Sequence, residues 1–103
     1  MKLVINSNGF DADAELLDFF QKKADKLDTF FDRIVQGEAY MKYNNNGGVS
    51  DKTVELKVFV PGTSLFSHHQ AATWQEGIDE VVDQMRRQLK RYKEKLAEKK
   101  PIS

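Results

Sequence analysis

Arg86, Arg87, Lys90, Arg91, Lys93, Lys95, Lys99 and Lys100 crowd the last eighteen residues of the chain, against only Glu94 and Glu98. Eight minus two is +6. The chain as a whole has 16 basic and 16 acidic residues, so residues 1–85 hold eight basic and fourteen acidic groups, or −6. A neutral protein with evenly mixed charge has no preference for polyanions; a segregated one has, through the local potential of its basic end. The chemistry on offer is phosphate binding. A guanidinium grips phosphate with two donors, and an ammonium acts as a compact point charge. Each phosphate neutralised releases counterions, so such binding weakens steeply with salt. The plainer reading is a solvated helix face with i,i+4 pairs such as Lys90–Glu94. Six net charges on one segment exceed what solubility asks.

A second basic group lies far upstream. Lys22, Lys23 and Lys26 flank an apolar stripe, and Arg33 follows it. Taken singly these are surface residues balanced by Asp18, Asp25 or Asp28. They extend the basic surface only if the two helices lie side by side.

Other candidates carry less. His68 and His69 are adjacent in a strand-like stretch. Neighbouring strand residues point to opposite faces, so the two cannot chelate one metal in regular β geometry. Asp79 and Asp83 are one helical turn apart with Glu80 nearby, but acids in the first half of a helix are ordinary dipole complementation. The sequence has no glycine-rich phosphate loop, no nucleophile elbow and no zinc spacing. Nothing in it argues for catalysis, a cofactor, a metal or a small-molecule substrate. Trp74 and Phe66 could stack on a base, but packing is the simpler use for both. Tyr40 and Phe59 are expected on the outer sheet face as a small apolar patch.

The elements that must hold these groups follow from periodicity. Lys2 to Asn6 reads as a short strand, with Leu3 and Ile5 on one side, broken by Asn8-Gly9. Asp11 is the expected N-cap of a first helix whose stripe is Leu16, Phe20, Ala24, Leu27 and Phe31. Ile34 to Asn44 reads as a strand with Val35, Ala39 and Met41 on one parity. Asn44-Asn-Asn-Gly-Gly48 is a turn suited to positive φ. Thr53 to Val60 alternates cleanly and ends at Pro61-Gly62. Leu65 to Ala71 is a weaker strand whose inward parity the pattern leaves open. Thr73-Trp-Gln-Glu76 is a capping box that opens the last helix. Its stripe is Ile78, Val81, Val82, Met85, Leu89, Tyr92 and Leu96, and Pro101 stops it. About 25 residues make roughly 38 Å of helix, long enough to overhang the sheet.

The order β-α-β-β-β-α predicts an α+β fold: a four-stranded mixed sheet with both helices on one face. The first two strands should run parallel through a right-handed crossover, and the remaining pairs should be antiparallel. On a helical wheel with Ile78 at zero, Lys93, Arg86 and Lys90 fall on one flank. Arg87, Arg91 and Lys95 fall round the back toward the other. The basic groups form two ridges on a helix pinned by its apolar stripe.

A length of 103 residues fits one domain. There is no cysteine, hence no disulfide framework and no thiol chemistry. No apolar run approaches the roughly 20 residues that span a bilayer, and the N-terminus lacks the pattern of a signal peptide. The expectation is a cytoplasmic protein with no membrane partner.

Two segments resemble a known family. Lys23-Ala-Asp-Lys-Leu-Asp-Thr-Phe-Phe-Asp-Arg-Ile34 is similar to the Lys-Leu-x-x-Phe-Asp-Arg segment of the ribosome hibernation promoting factors. That family includes the ribosome-associated inhibitor and is also called the sigma-54 modulation proteins. Gly77 to Leu96 is similar to its last helix, and the element order is also the family's. The resemblance covers residues 1–98, leaving 99–103 as a short tail, and is to the short forms. Gln75 and Glu76 stand where the family often has tyrosine and alanine.

The resemblance implies a fold similar to a double-stranded RNA-binding domain with an extra first strand. It implies a translation silencer that occupies the mRNA and tRNA channel of the small ribosomal subunit under stress or in stationary phase. The implied partners are 16S-type rRNA and ribosomal proteins, within 70S ribosomes or ribosome dimers. The implied RNA contacts are Lys23, Lys26, Arg33, Arg87, Arg91, Lys93 and Lys95; Lys22, Arg86 and Lys90 join them on local charge alone. A general double-stranded RNA binder and a module for an acidic protein partner are the alternatives.

Overall fold

The computed structural model describes residues 1–44 and 48–98. The centre of the Asn-rich turn, Lys99, Lys100, the stop at Pro101 and the 99–103 tail lie outside the described residues. The elements run β1 Leu3–Asn8, α1 Ala14–Asp25, a 3₁₀ turn Lys26–Thr29, β2 Gln36–Tyr43, β3 Lys52–Val60, β4 Thr63–Ala71 and α2 Trp74–Glu98. The described strands form one sheet in the order β1-β2-β3-β4, with β1 and β2 parallel and the other pairs antiparallel. This is the α+β architecture expected from the alternation of patterns.

The inner face of the sheet carries Ala39 and Met41 from β2 and Val54, Leu56, Val58 and Val60 from β3, all buried. Leu3 and Ile5 of β1 pack against them. In β4 the odd positions face inward: Ser67 and Ala71 are buried, while Phe66 and His68 are exposed. The reason lies in the register, which pairs Leu65 with Val58 and Ser67 with Leu56. An antiparallel ladder puts directly paired residues on the same face. Val35 shares the parity of Ala39 but lies before β2 begins and is 65% exposed.

Two expectations about α1 are corrected. The N-cap is Asp13, not Asp11: its carboxylate accepts from the Leu16 N–H at 2.8 Å. The helix also does not continue to Phe31. It tightens after Asp25 into the 3₁₀ turn, where the Thr29 hydroxyl donates to the Lys26 carbonyl at 2.6 Å. The N–H groups of Phe30 and Phe31 both return to the Leu27 carbonyl. Leu16, Phe20, Ala24, Leu27 and Phe31 are nonetheless all buried, as the stripe requires.

Helix α2 opens at Thr73, whose hydroxyl accepts from the Glu76 N–H at 3.1 Å. Ile78, Val81, Met85 and Leu89 are fully buried. Burying each such side chain contributes about 1.5–3 kcal/mol, enough to fix the helix on the sheet. Gly77 allows the close approach: a Cβ there would sit 2.7 Å from Val54 Cγ2. Three polar bonds pin the same helix lengthwise. Ser67 donates to the Val81 carbonyl at 2.9 Å, Gln88 to the Phe66 carbonyl at 2.6 Å, and Tyr92 to the Pro61 carbonyl at 2.8 Å. Pro61 marks the β3–β4 turn, so the residues after Tyr92 run past the end of the sheet, as their number predicts. Leu96 there still packs against the core.

Candidate nucleic-acid interface

Helices α1 and α2 lie side by side and run in the same direction. Asp13 and Leu16 line one hollow with Trp74 and Gln75. Lys23 and Lys26 share a groove with Asp79, Asp83 and Arg86. Further on, Phe31 to Arg33 lie beside Lys93 and Leu96. Each helix begins acidic and ends basic, with Glu15 in the first turn of α1 and Glu76 in that of α2. Each therefore complements its own dipole. Because the two are parallel, both basic ends meet at one end of the helical layer. That juxtaposition joins the two basic groups, which are separated by half the chain.

Ion pairs divide the cations into two sets. Lys22 pairs with Asp18 at 3.0 Å and Lys23 with Asp79 at 3.1 Å. Arg86 bonds Asp83 at 2.9 Å, and Arg87 lies 3.4 Å from Asp83 and 3.8 Å from Glu80. The hydrogen bond from Arg86 holds the Asp83 carboxyl below its ordinary 3.8, aided by the charge of Arg87. Among the described residues, no carboxylate within 4.0 Å partners Lys26, Arg33, Lys90, Arg91, Lys93 or Lys95. The expected Lys90–Glu94 pair is not formed at that distance. The acids of the first half of α2 thus neutralise the cations next to them, and the second half is left to solvent.

The wheel places Arg86, Lys93, Arg91 and Lys95 correctly on their flanks, while Lys90 lies on the crest with Arg87 and Arg91 and not on the α1 flank. Arg86 and Lys93 face α1 and the segment after it. Arg91 and Lys95 flank Leu65 and Gln88 on the β4 side. Arg87, Lys90 and Arg91 crown the helix between them. Arg33 is held over the Phe31 ring, 5.4 Å from its centroid, and Lys23 over Phe19 at the same distance.

The weaker candidates separate from this surface. His68 is exposed and touches the Phe66 ring, while His69 faces inward. No cluster of three or more metal-ligating side chains exists among the described residues. Trp74 is packed: it stacks on Phe10 with centroids 4.6 Å apart, and Tyr43 meets both rings edge-on. Tyr40 donates to Glu38 at 3.0 Å on the outer sheet face. That face is no acidic pole, since Glu55 lies 3.6 Å from Lys42 and Glu38 stands opposite Lys57.

Sequence reasoning missed Phe30, which is 44% exposed beside Arg86. The double phenylalanine was a signal, since only one of two neighbours can point into the core. It also missed the clamp on the Met1 ammonium, held by Asp25 at 2.8 Å and Asp28 at 2.6 Å.

A mixed four-stranded sheet with two parallel helices on one face, cations gathered at one end of the helical layer, defines a small α+β domain class. The chain belongs to the family described as sigma-54 modulation protein / S30EA ribosomal protein, whose profile matches residues 3–97. It is 29% identical over 97 residues to a ribosome hibernation promotion factor of Picosynechococcus, covering 92% of this chain and 50% of that one. It therefore spans half the length of that relative. It is 30% identical over 96 residues to the ribosome hibernation promoting factor of Escherichia coli, covering 93% of this chain and 97% of that one. The fold matches the N-terminal domain of Thermus thermophilus Protein Y with a TM-score of 0.78 at 20% identity, over 89% of this chain and 99% of that one. It also matches a ribosomal subunit interface protein of Coxiella burnetii, with a TM-score of 0.81 at 20% identity over 90% and 98%. No described helix is long and apolar enough to cross a membrane.

Proposed function

We propose that this protein is a cytoplasmic, ribosome-binding translation silencer that acts by occlusion and not by catalysis. Residues 1–98 form the binding unit. It occupies the mRNA and tRNA channel of the small subunit and contacts 16S-type rRNA and ribosomal proteins, in 70S ribosomes or their dimers. The observation that carries the reading is the set of cations in the second half of α2 that have no carboxylate partner among the described residues, set beside the basic end of α1 in a member of this family. Lys26, Arg33, Lys90, Arg91, Lys93 and Lys95 make the principal phosphate contacts. Lys22 and Arg87 join them by exchanging a carboxylate for a phosphate. Such exposed pairs are worth only about 0–1 kcal/mol and exchange readily. Lys23 and Arg86 contact the RNA from their places beside Asp79 and Asp83.

Co-sedimentation at several salt concentrations tests the reading. The protein should pellet with small subunits and 70S ribosomes at low salt and leave them at high salt. Binding to bare duplex RNA but not to ribosomes would instead mark a general RNA binder. Retention only by an acidic protein would mark the interaction module.

A further inference from the structure

Phe30 ends the 3₁₀ turn with its ring 44% exposed, while Phe31 beside it is 4% exposed and fills the core. A single exposed phenylalanine needs no explanation on its own. The surroundings of this one do. It walls a groove of about 250 Å³ between the helices, whose other polar walls are Lys23, Lys26, Asp79, Asp83 and Arg86. The Arg86 guanidinium carbon lies 5.9 Å from the ring centroid and is held there by its bond to Asp83.

A bare phosphate does not suit this groove, because two carboxylates line it. A nucleobase suits it. An aromatic ring supplies a stacking face, and Arg86 adds a guanidinium that also stacks on bases. Asp79 and Asp83 can accept from base N–H groups, and Lys26 on the rim meets the phosphate of the same nucleotide. We propose that Phe30 is a stacking platform for one unpaired RNA base, received in the groove between the 3₁₀ turn and α2. The inference rests on the ribosome-binding reading and adds to it a base contact at a residue outside the cationic set.

The test compares wild type, Phe30→Leu and Phe30→Tyr for 70S binding by co-sedimentation across a salt series. Base–aromatic stacking carries enough energy that Phe30→Leu, apolar but without a π face, should weaken binding about 5- to 150-fold. Phe30→Tyr keeps the ring and should stay within about twofold of wild type. The salt slope should be unchanged in both, because stacking releases no counterions. Leu binding as tightly as Phe, or a Leu variant with a shallower slope, overturns the platform. Failure of the wild type to bind ribosomes overturns the ribosomal reading instead. Should Phe30→Leu not fold, Phe30→Trp gives a second readout. It should bind and lose fluorescence on adding ribosomes, beyond any change in the wild type's buried Trp74; binding without quenching overturns the proposal.

Discussion

Replacing Arg91 and Lys95 with alanine tests which cations make contact. Both are exposed and lie on the β4 side of α2, and neither has a carboxylate within 4.0 Å among the described residues. If Lys26, Arg33, Lys90, Arg91, Lys93 and Lys95 each neutralise one phosphate, there are six contacts. At about −0.7 to −0.9 per contact, the slope of log K against log salt is about −4 to −5. Between about 50 and 200 mM salt, that slope costs roughly 300- to 2,000-fold in affinity. Removing two contacts should shallow it by about 1.4 to 1.8. The fold should be indifferent, since neither side chain packs in the core. The assay is ribosome co-sedimentation at four or five salt concentrations, with a thermal melt alongside. Lys57→Ala, on the outer face of the sheet, is the control and should leave the slope alone. An unchanged slope in the double variant, or an equal shift from Lys57→Ala, refutes the assignment of the contact surface.

Two further predictions concern stability. Gly77→Ala should lower the melting temperature, because its Cβ would stand 2.7 Å from a methyl of fully buried Val54. Overpacking costs about 1–3 kcal/mol, and the better helix propensity of alanine returns roughly 1 kcal/mol, which leaves about 0–2 kcal/mol of destabilisation, so a raised melting temperature would contradict the packing. The Met1 clamp should show in the pH dependence of urea unfolding. The hydrogen bonds it donates to Asp25 and then Asp28 raise the ammonium above its ordinary 8.0, so its contribution is full below that pH and is lost as pH rises through the folded value. The bond from the same ammonium lowers Asp25 below 3.8, so that contribution is present above 3.8 and is lost as pH falls through the lowered value. Asp25→Asn with Asp28→Asn should flatten the alkaline loss; an equal loss in the variant would contradict it.

Much of this was legible in the sequence because the apolar stripes are clean. Ile78 to Leu96 fixes which side of α2 docks, and that alone determines where the two basic ridges point. Val54 to Val60 marks β3 by strict alternation. What was not legible depends on contacts between distant segments. The inward parity of β4 rests on pairing with β3, since Ser67 and His69 carry too little hydrophobicity to decide it. The cap at Asp13 rather than Asp11 is a contest between two equivalent carboxylates, decided only where the folded chain places Asp13 to accept from the Leu16 N–H. The division of the cations also needed the fold. Arg86 and Arg87 read as equal to Arg91 until Asp83 and Glu80 are seen beside them, and Lys23 reads as free until α1 is laid against Asp79. The −6 over residues 1–85 is placed only in part: Asp13, Glu15, Glu76, Asp79, Glu80 and Asp83 lie at or near the starts of the two parallel helices, while Asp28 and Asp32 sit beside Arg33 and Lys93 at the other end.

The most direct test of the central claim is competition for the small subunit. Purified 30S subunits are sedimented with the protein at low salt, either vacant or pre-loaded with mRNA and tRNA. Occupation of the channel predicts that the protein pellets with vacant subunits and stays in the supernatant with loaded ones. Equal pelleting with both would place the contact elsewhere and contradict silencing by occlusion.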